Sequence, residues 1–367
     1  MNRKRKKGLS FKGMFCLVIC AIISLSSLMD FDKMAQLCIS LTIPSFDVNT
    51  ALKSQIILAD SSSDKDTTIN SEKSQTFLNK SLAYIPDDIK KLIDKAHQNE
   101  SNDKKDGSIV EHFYDKTSAT TSYQNILVRN ASDKSIDIKT VLSEAPDLKI
   151  KNKSEEPSIL VFHTHTTESY QILDRNFYAV GYTSRNTNPS LNMVRVGNEI
   201  VSQLQNAGFK VIHDTNIYDM KYSGAYERSG AAIDEYLKKY PSIKVILDIH
   251  RDAIQDNSGT KTKPIATING KKAAQIMIIS GCEGDGVTGF PDWKYNLRFA
   301  LQLQKKCNEM YPGLTRPLLF DNRRYNMYKS HNSLLIEVGS DSNTLDEATY
   351  SARLLGNVLS NLLENYT

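Results

Sequence analysis

The chain has 367 residues, 40% of them hydrophobic and 24% charged, an ordinary balance for one large domain or two smaller ones with a packed core. Its formal net charge of +4 is local: Arg3, Lys4, Arg5, Lys6, Lys7 and Lys12 are six of the 46 basic residues, and 46 less 6 leaves 40 against 42 acidic. The basic character therefore belongs to the N-terminus, which excludes a surface suited to nucleic acid.

Residues 1–13 form a basic tail ahead of an apolar run, Met14-Phe15-Cys16-Leu17-Val18-Ile19-Cys20-Ala21-Ile22-Ile23, that continues to Met29. A basic flank before such a run reads as a signal peptide or a signal anchor. No small-x-small cleavage site follows, and Asp30 and Asp32 mark an outer edge, so an uncleaved anchor over 14–29 is the favoured reading. The run is short for a span of about 20 residues, which snorkelling lysines and local thinning accommodate. The excess of positive charge keeps residues 1–13 in the cytoplasm, giving a single-pass protein of the cell membrane with the rest extracytoplasmic.

Residues 30–75 are rich in Ser, Asp, Lys and Thr and read as a flexible stalk. Residues 76–150 are a lead-in region, with a helix opened by Pro86, Asp87 and Asp88 and a strand at Asn125–Val128. A charged connector ends at Pro157, and a catalytic domain over 151–367 follows. There, apolar strands (158–162, 210–212, 244–249, 333–338) alternate with amphipathic helices. One helix carries Met193, Val196, Ile200, Leu204 and Ala207 and stops at Gly208; others cover 231–240 and the segment from Trp293 to Pro312-Gly313. Asn269-Gly270 joins 264–268 and 273–279 as a hairpin. Thr344-x-x-Glu347 is a capping box for a closing helix. This order implies an α/β fold with a mixed or parallel sheet flanked by helices.

Cys16 and Cys20 lie in the apolar run, Cys38 lies just beyond it, and Cys282 and Cys307 stand alone in the C-terminal region. Two residues allow no pairing assignment, and without a Cys-x-x-Cys pattern any metal must be held by His and carboxylate groups.

Three strand ends carry such groups. The first is Phe162-His163-Thr164-His165-Thr166-Thr167-Glu168-Ser169-Tyr170, the second Asp248-Ile249-His250-Arg251-Asp252, and the third Leu334-Leu335-Ile336-Glu337-Val338-Gly339. A lone strand-end His is more often a hydrogen-bonded structural residue, but three such clusters in one domain point to a divalent metal, most simply zinc. Catalytic zinc takes three protein ligands and a water, with a base beside the metal rather than on it. His163 (or His165), Glu168 and His250 are the candidate ligands, and Glu337 the candidate base, where an apolar strand would raise its pKa. The bland alternative for Glu337 is a buried acid paired with Arg323 or Arg324. His163 and His165 differ by two, so on an extended strand they share a face, and the one not bound to metal would sit behind it or face substrate. Asp248 shares a face with His250 and would orient its ring. Arg251 would hold a substrate carboxylate or an oxyanion, or simply pair with Asp252. No nucleophile elbow, phosphate loop or dinucleotide fingerprint is present.

Together, Val161-Phe162-His163-Thr164-His165-x-Thr167-Glu168-Ser169-Tyr170, Asp248–Asp252, Leu334–Gly339 and the lead-in Asn125-Ile126-Leu127-Val128-Arg129-Asn130 resemble the stage II sporulation protein P family of endospore-forming bacteria. The resemblance runs from about residue 120 to the end. It implies a membrane-anchored hydrolase with a twisted, zinc-amidase-like sheet. The implied activity is cleavage of the N-acetylmuramoyl-L-alanine amide of peptidoglycan during engulfment, with cross-link endopeptidase activity as well. It also implies stage II sporulation proteins D and M as partners, and places the first-motif His, His250 and Glu337 on family active-site positions. Glu168 departs from the wider amidases, whose carboxylate ligand lies at a helix start. Two other functions fit the same residues: an inactive wall-binding scaffold that keeps the fold, and a zinc peptidase restricted to stem peptides.

Overall fold

The computed structural model describes residues 82–100, 103–151 and 154–367, all within one compact unit, Asn70–Thr367. The expected tail, anchor and stalk lie outside the described residues; among those described, no helix is long and apolar enough to cross a membrane.

In chain order the elements begin with α1 (Asp87–Asn99), β1 (Lys105–His112), β2 (Thr121–Tyr123), β3 (Ile126–Asn130), α2 (Ile138–Ser143), β4 (Ile159–Phe162), β5 (Phe177–Ala179), α3 (Met193–Asn206) and β6 (Val211–His213). They continue with α4 (Ala225–Lys239), β7 (Val245–Asp252), β8 (Lys261–Ile268), β9 (Lys271–Ala274), β10 (Ile276–Gly281), α5 (Trp293–Met310), β11 (Leu318–Asp321), β12 (Ser333–Ser340) and α6 (Leu345–Leu363). The main sheet has eight strands in the order β2-β3-β11-β10-β12-β7-β4-β6, and a second has four, β5-β1-β8-β9. The main sheet is mixed: β12, β7, β4 and β6 run parallel, while β10 is antiparallel to β12.

Local chemistry explains the boundaries. Asp87 and Asp88 occupy the first turn of α1, where the helix dipole favours acids. Gly208 takes φ +91 just beyond α3, and Thr344 and Glu347 form both bonds of the capping box on α6. Asn269 and Gly270 both have positive φ and close the β8–β9 hairpin. The run that follows, expected as one strand over 273–279, divides at Gln275. That buried side chain bonds the backbone of Tyr114 and Gly313, and the chain passes there from the small sheet to the large one.

Period-two alternation splits the core. Ile159, Val161, Leu247, Ile249, Leu334 and Ile336 join the larger cluster with α3, α5 and α6. Leu160, Phe162 and Ile246 face the other way, against Ile233 of α4. Residues before 150 are built into the same unit. Strand β3 pairs with β11, and Arg353 of α6 is fully buried, donating to the carbonyls of Leu82 (2.9 Å) and Tyr84 (2.7 Å). Arg195 ties Asp88 to Glu199 at 2.8 and 2.7 Å, fixing the start of α1 to α3.

Candidate metal centre

The three sequence motifs meet at the C-terminal ends of the neighbouring parallel strands β12, β7 and β4, the crevice where open α/β sheets place ligands. On β7, Asp248 and His250 alternate with Leu247 and Ile249, so they point to the face covered by α4. Glu337 alternates with Ile336 and Val338 and points the same way. In the parallel pairing, Glu337 stands directly opposite His250. Beyond it the register slips between Glu337 and Ser340, where Gly339 takes φ +68; a Cβ there would lie 2.5 Å from Asn343 Oδ1.

His165, Glu168 and His250 each offer a ligand atom, all within 4.8 Å of one another and all buried. The Glu168 carboxylate sits between the rings: Oε1 is 3.3 Å from His165 Nδ1 and Oε2 is 3.4 Å from His250 Nδ1. Behind His250, Asp248 Oδ1 lies 2.8 Å from Nε2, and Asp248 is itself held by the amide and hydroxyl of Thr164 at 2.8 and 2.7 Å. A carboxylate that fixes one ring nitrogen and directs the other inward is the arrangement that orients metal-binding histidines. Two imidazoles and a carboxylate converging in this way make a donor set able to hold a divalent metal ion.

The same contacts set the charges. Burial alone would raise the Glu168 carboxyl, but the hydrogen bonds from His165 and His250 and the positive charge of His250 and Arg251 hold it well below the usual carboxylate range. Burial works against a charged His250, yet Asp248 and Glu168 outweigh it and push its pKa well up. Glu337 is pushed up to about 8, chiefly by burial, with Asp252 and Glu168 adding to the rise and His250 and Arg316 opposing it. Its Oε2 is buried without a hydrogen-bond partner among the described residues. Arg323 and Arg324, the bland partners for this acid, bond elsewhere: Arg323 to Asp321 at 2.5 Å and Arg324 to the carbonyl of Thr288.

The structure separates the two first-motif histidines. The chain leaves β4 at Phe162 and turns through 164–167, so a spacing of two no longer means a shared face. His163 keeps the strand alternation, which carries it to the α3 side with Val161, away from His165. Its Nδ1 donates to the Ile249 carbonyl at 2.9 Å, and its Nε2 lies 2.9 Å from His213 Nε2. Burial and His213 hold its pKa well below the imidazole range, so the ring is neutral and Nε2 accepts. Burial also takes His213 down to about 4. Gly197 of α3 leaves room for the pair: a Cβ there would lie 2.7 Å from His163 Nε2. His163 is therefore a structural neighbour of the cluster, and His165 the residue in it.

Arg251 also departs from expectation. It is 6% exposed, and its guanidinium donates to three backbone carbonyls, Ser169 (3.1 Å), Asp252 (3.3 Å) and Ser184 (2.6 Å). These bonds fasten the loop carrying Glu168 to β7 and commit the guanidinium to backbone carbonyls. The cation nearer the opening is Arg185, 38% exposed, held by Asp219 at 2.5 Å and lying 3.8 Å from Glu168. His331, just before β12, is partly exposed and bonded to Asp147 at 2.6 Å, away from the cluster. Cys282 and Cys307 are buried free thiols.

Three tyrosines frame the cluster without a signal in the sequence pattern. Tyr222 stacks on His165 (centroids 4.8 Å apart), Tyr226 stacks on His250 (6.4 Å), and Tyr325 stacks on Tyr226 (5.0 Å). Tyr226 lies at the start of α4, which begins six residues before the expected position, and Tyr222 lies in the turn leading into it.

Known proteins share parts of this chain. A relative from Bacillus subtilis (strain 168), "Stage II sporulation protein P", is 26% identical over 222 residues, or 56% of this chain and 50% of that protein, so the match spans half the relative's length. Similar solved structures include the N-acetylmuramoyl-L-alanine amidase AmiC2 of Nostoc punctiforme (11% identity, TM-score 0.33, 57% of this chain and 96% of that one). Others are the CwlD amidase from Clostridioides difficile in complex with the GerS lipoprotein (11%, 0.34, 57% and 99%) and the amidase Ami1 from Mycobacterium smegmatis (12%, 0.33, 59% and 100%). Residues 47–360, which include all three strand-end motifs, match the family described as Stage II sporulation protein P, and the chain belongs to that family.

Proposed function

We propose that the protein is a zinc-dependent peptidoglycan hydrolase that acts in sporulation and cleaves the amide between N-acetylmuramic acid and L-alanine. Peptide cross-links are proposed as a second substrate. The observation that carries this reading is the juxtaposition of the His165–Glu168–His250 cluster with Glu337, a base candidate across the β7–β12 pairing whose Oε2 has no partner among the described residues. Family membership supplies the sporulation setting.

His165, Glu168 and His250 would hold the metal, which when bound supplies Lewis-acid charge to polarise the scissile carbonyl and activate water. Asp248 keeps His250 in register and takes no part in the bond changes. Glu337 accepts a proton from the attacking water and returns it to the departing amine, the work of a single acid-base group with a raised pKa. Arg251 positions Glu168 by fastening its loop. The basic N-terminus and apolar run over 14–29 support a retained anchor that holds the catalytic domain against the wall on the outer side. Stage II sporulation proteins D and M are the proposed partners, to be tested by co-purification.

The direct test is digestion of purified sacculi with the zinc-loaded full chain and identification of new termini by mass spectrometry. New L-alanine amines on intact stems, lost with chelator and in Glu337→Gln, are expected. Cleavage only within stem peptides would replace the amidase reading with a peptidase, and metal binding without cleavage would leave a scaffold.

A further inference from the structure

The mechanism above gives the base and the metal-holding groups but leaves the oxygen of the scissile carbonyl without a protein donor, since Arg251 is turned to the backbone. We propose that the hydroxyl of Tyr226 is that donor, a further catalytic residue of the proposed hydrolase. The proposal rests on the hydrolytic reading of the site.

Several independent observations point to Tyr226. Its ring touches two of the three clustered residues: it stacks on His250 with an interplanar angle of 11° and meets His165 edge-on at 5.5 Å. Its outer face is covered by Tyr325, which takes φ +42, a backbone conformation costly for a residue with a bulky side chain. Its backbone is pinned as well: the carbonyl accepts from Asn326 Nδ2 at 3.1 Å and from Ser229 Oγ at 3.3 Å. Ser229 in turn bonds Thr164, which holds Asp248. The ring is thus referenced to the same groups that orient His250.

Its hydroxyl differs from those of its neighbours. Tyr170 donates to the Val338 carbonyl at 2.8 Å, Tyr182 to the Asp341 carbonyl at 2.9 Å and Tyr218 to Asp214 at 2.5 Å, while Tyr325 accepts from Arg323 at 2.7 Å. Tyr226 makes no such bond with any described residue, and it is only partly buried, so the hydroxyl remains open to what enters the cleft. Tyr222, the other unbonded hydroxyl of the group, is 65% exposed and solvated, whereas the ring of Tyr226 is clamped on two sides. A clamped donor with no partner among the described residues, beside the His165–Glu168–His250 cluster, meets the requirement for transition-state stabilisation: it need not reorganise when charge develops.

The step balances as follows. Water adds to the carbonyl carbon as Glu337 takes one proton; a C–O bond forms and the carbonyl pair moves onto oxygen. Tyr226 donates a hydrogen bond to that oxygen and keeps its proton. The C–N bond then breaks, the oxygen pair returns to form the acid, and Glu337 passes its proton to the amine.

The test compares wild type with Tyr226→Phe, both full-length and zinc-loaded, on sacculi and on a soluble muramoyl-peptide. On both substrates the Phe variant is expected to lose about 100-fold in kcat with little change in KM, the loss typical of one oxyanion donor. Zinc content and Tm are expected to stay unchanged. A phosphinate analogue with tetrahedral oxygens should bind the variant more weakly by a similar factor, because it shares the interaction the substrate lacks. Full kcat in the Phe variant would overturn the proposal, and so would a loss of kcat matched by a loss of zinc, which would give the ring a purely supporting role. Wild type that cleaves stem peptides alone would sink the amidase reading while leaving Tyr226 to be judged on that reaction; zinc-loaded wild type without turnover would end both.

Discussion

Glu337 and His250 face each other across the parallel strands β12 and β7, with Oε2 of the acid unpaired and the imidazole fixed from behind by Asp248. If Glu337 is the proton carrier, Glu337→Gln keeps its shape and removes its basicity. Turnover should fall by about 10²–10⁴-fold, the usual contribution of a positioned acid-base group. Zinc stoichiometry should match wild type, measured on the same preparation. A Gln variant that loses its metal would instead place Glu337 among the ligands.

The two histidines of the first motif should behave differently. His165→Ala removes one corner of the cluster, and metal analysis after dialysis should show zinc lost. His163→Ala should retain zinc. It strips a buried ring from the Ile249 carbonyl and from His213, so it should destabilise the fold by about 1–3 kcal/mol, read by urea unfolding.

Stability of the metal-free protein should fall with rising pH because of Glu337. Its folded-state pKa is about 8 against 4.5 for the free side chain, so the folded protein binds the extra proton between those values. The stabilisation is fully present below about 4.5 and is lost as pH rises through about 8. Melting curves in chelator at pH 6 and pH 9 should show a larger drop for wild type than for Glu337→Gln. Parallel drops in the two proteins would contradict the raised pKa.

Arg251→Met tests the positioning of the Glu168 loop. It leaves three carbonyls short of a donor in a buried place, at about 1–3 kcal/mol for each that water does not reach. The expected result is a lowered Tm and faster hydrogen exchange over 168–185. An unchanged Tm with a raised KM would return Arg251 to the role of a substrate anchor.

The apolar runs that became β4, β7 and β12 were legible because each is buried on both faces, and the residues at their ends were legible because polar groups are out of place there. What lay outside the pattern depended on neighbours. Strand β1 is mostly exposed and is a strand because β5 and β8 pair with it. The division at Gln275 follows from one buried amide that serves Tyr114 and Gly313 from distant parts of the chain. The expected common face of His163 and His165 failed because the strand ends one residue before the first of them, and periodicity stops where the strand does. Tyr226 carried no signal, since a tyrosine near a helix start is ordinary until the partners of its hydroxyl are known.

The cluster exists only where β4, β7 and β12 lie side by side, and Thr164 and Asp248, which brace it, are 84 residues apart in sequence. Parallel neighbours of this kind are joined late, after long loops have closed. A metal held there would find no binding site in the partly folded chain. Zinc should therefore leave the refolding rate untouched and slow unfolding, so that the ion acts as a latch on a finished sheet rather than as a seed for it.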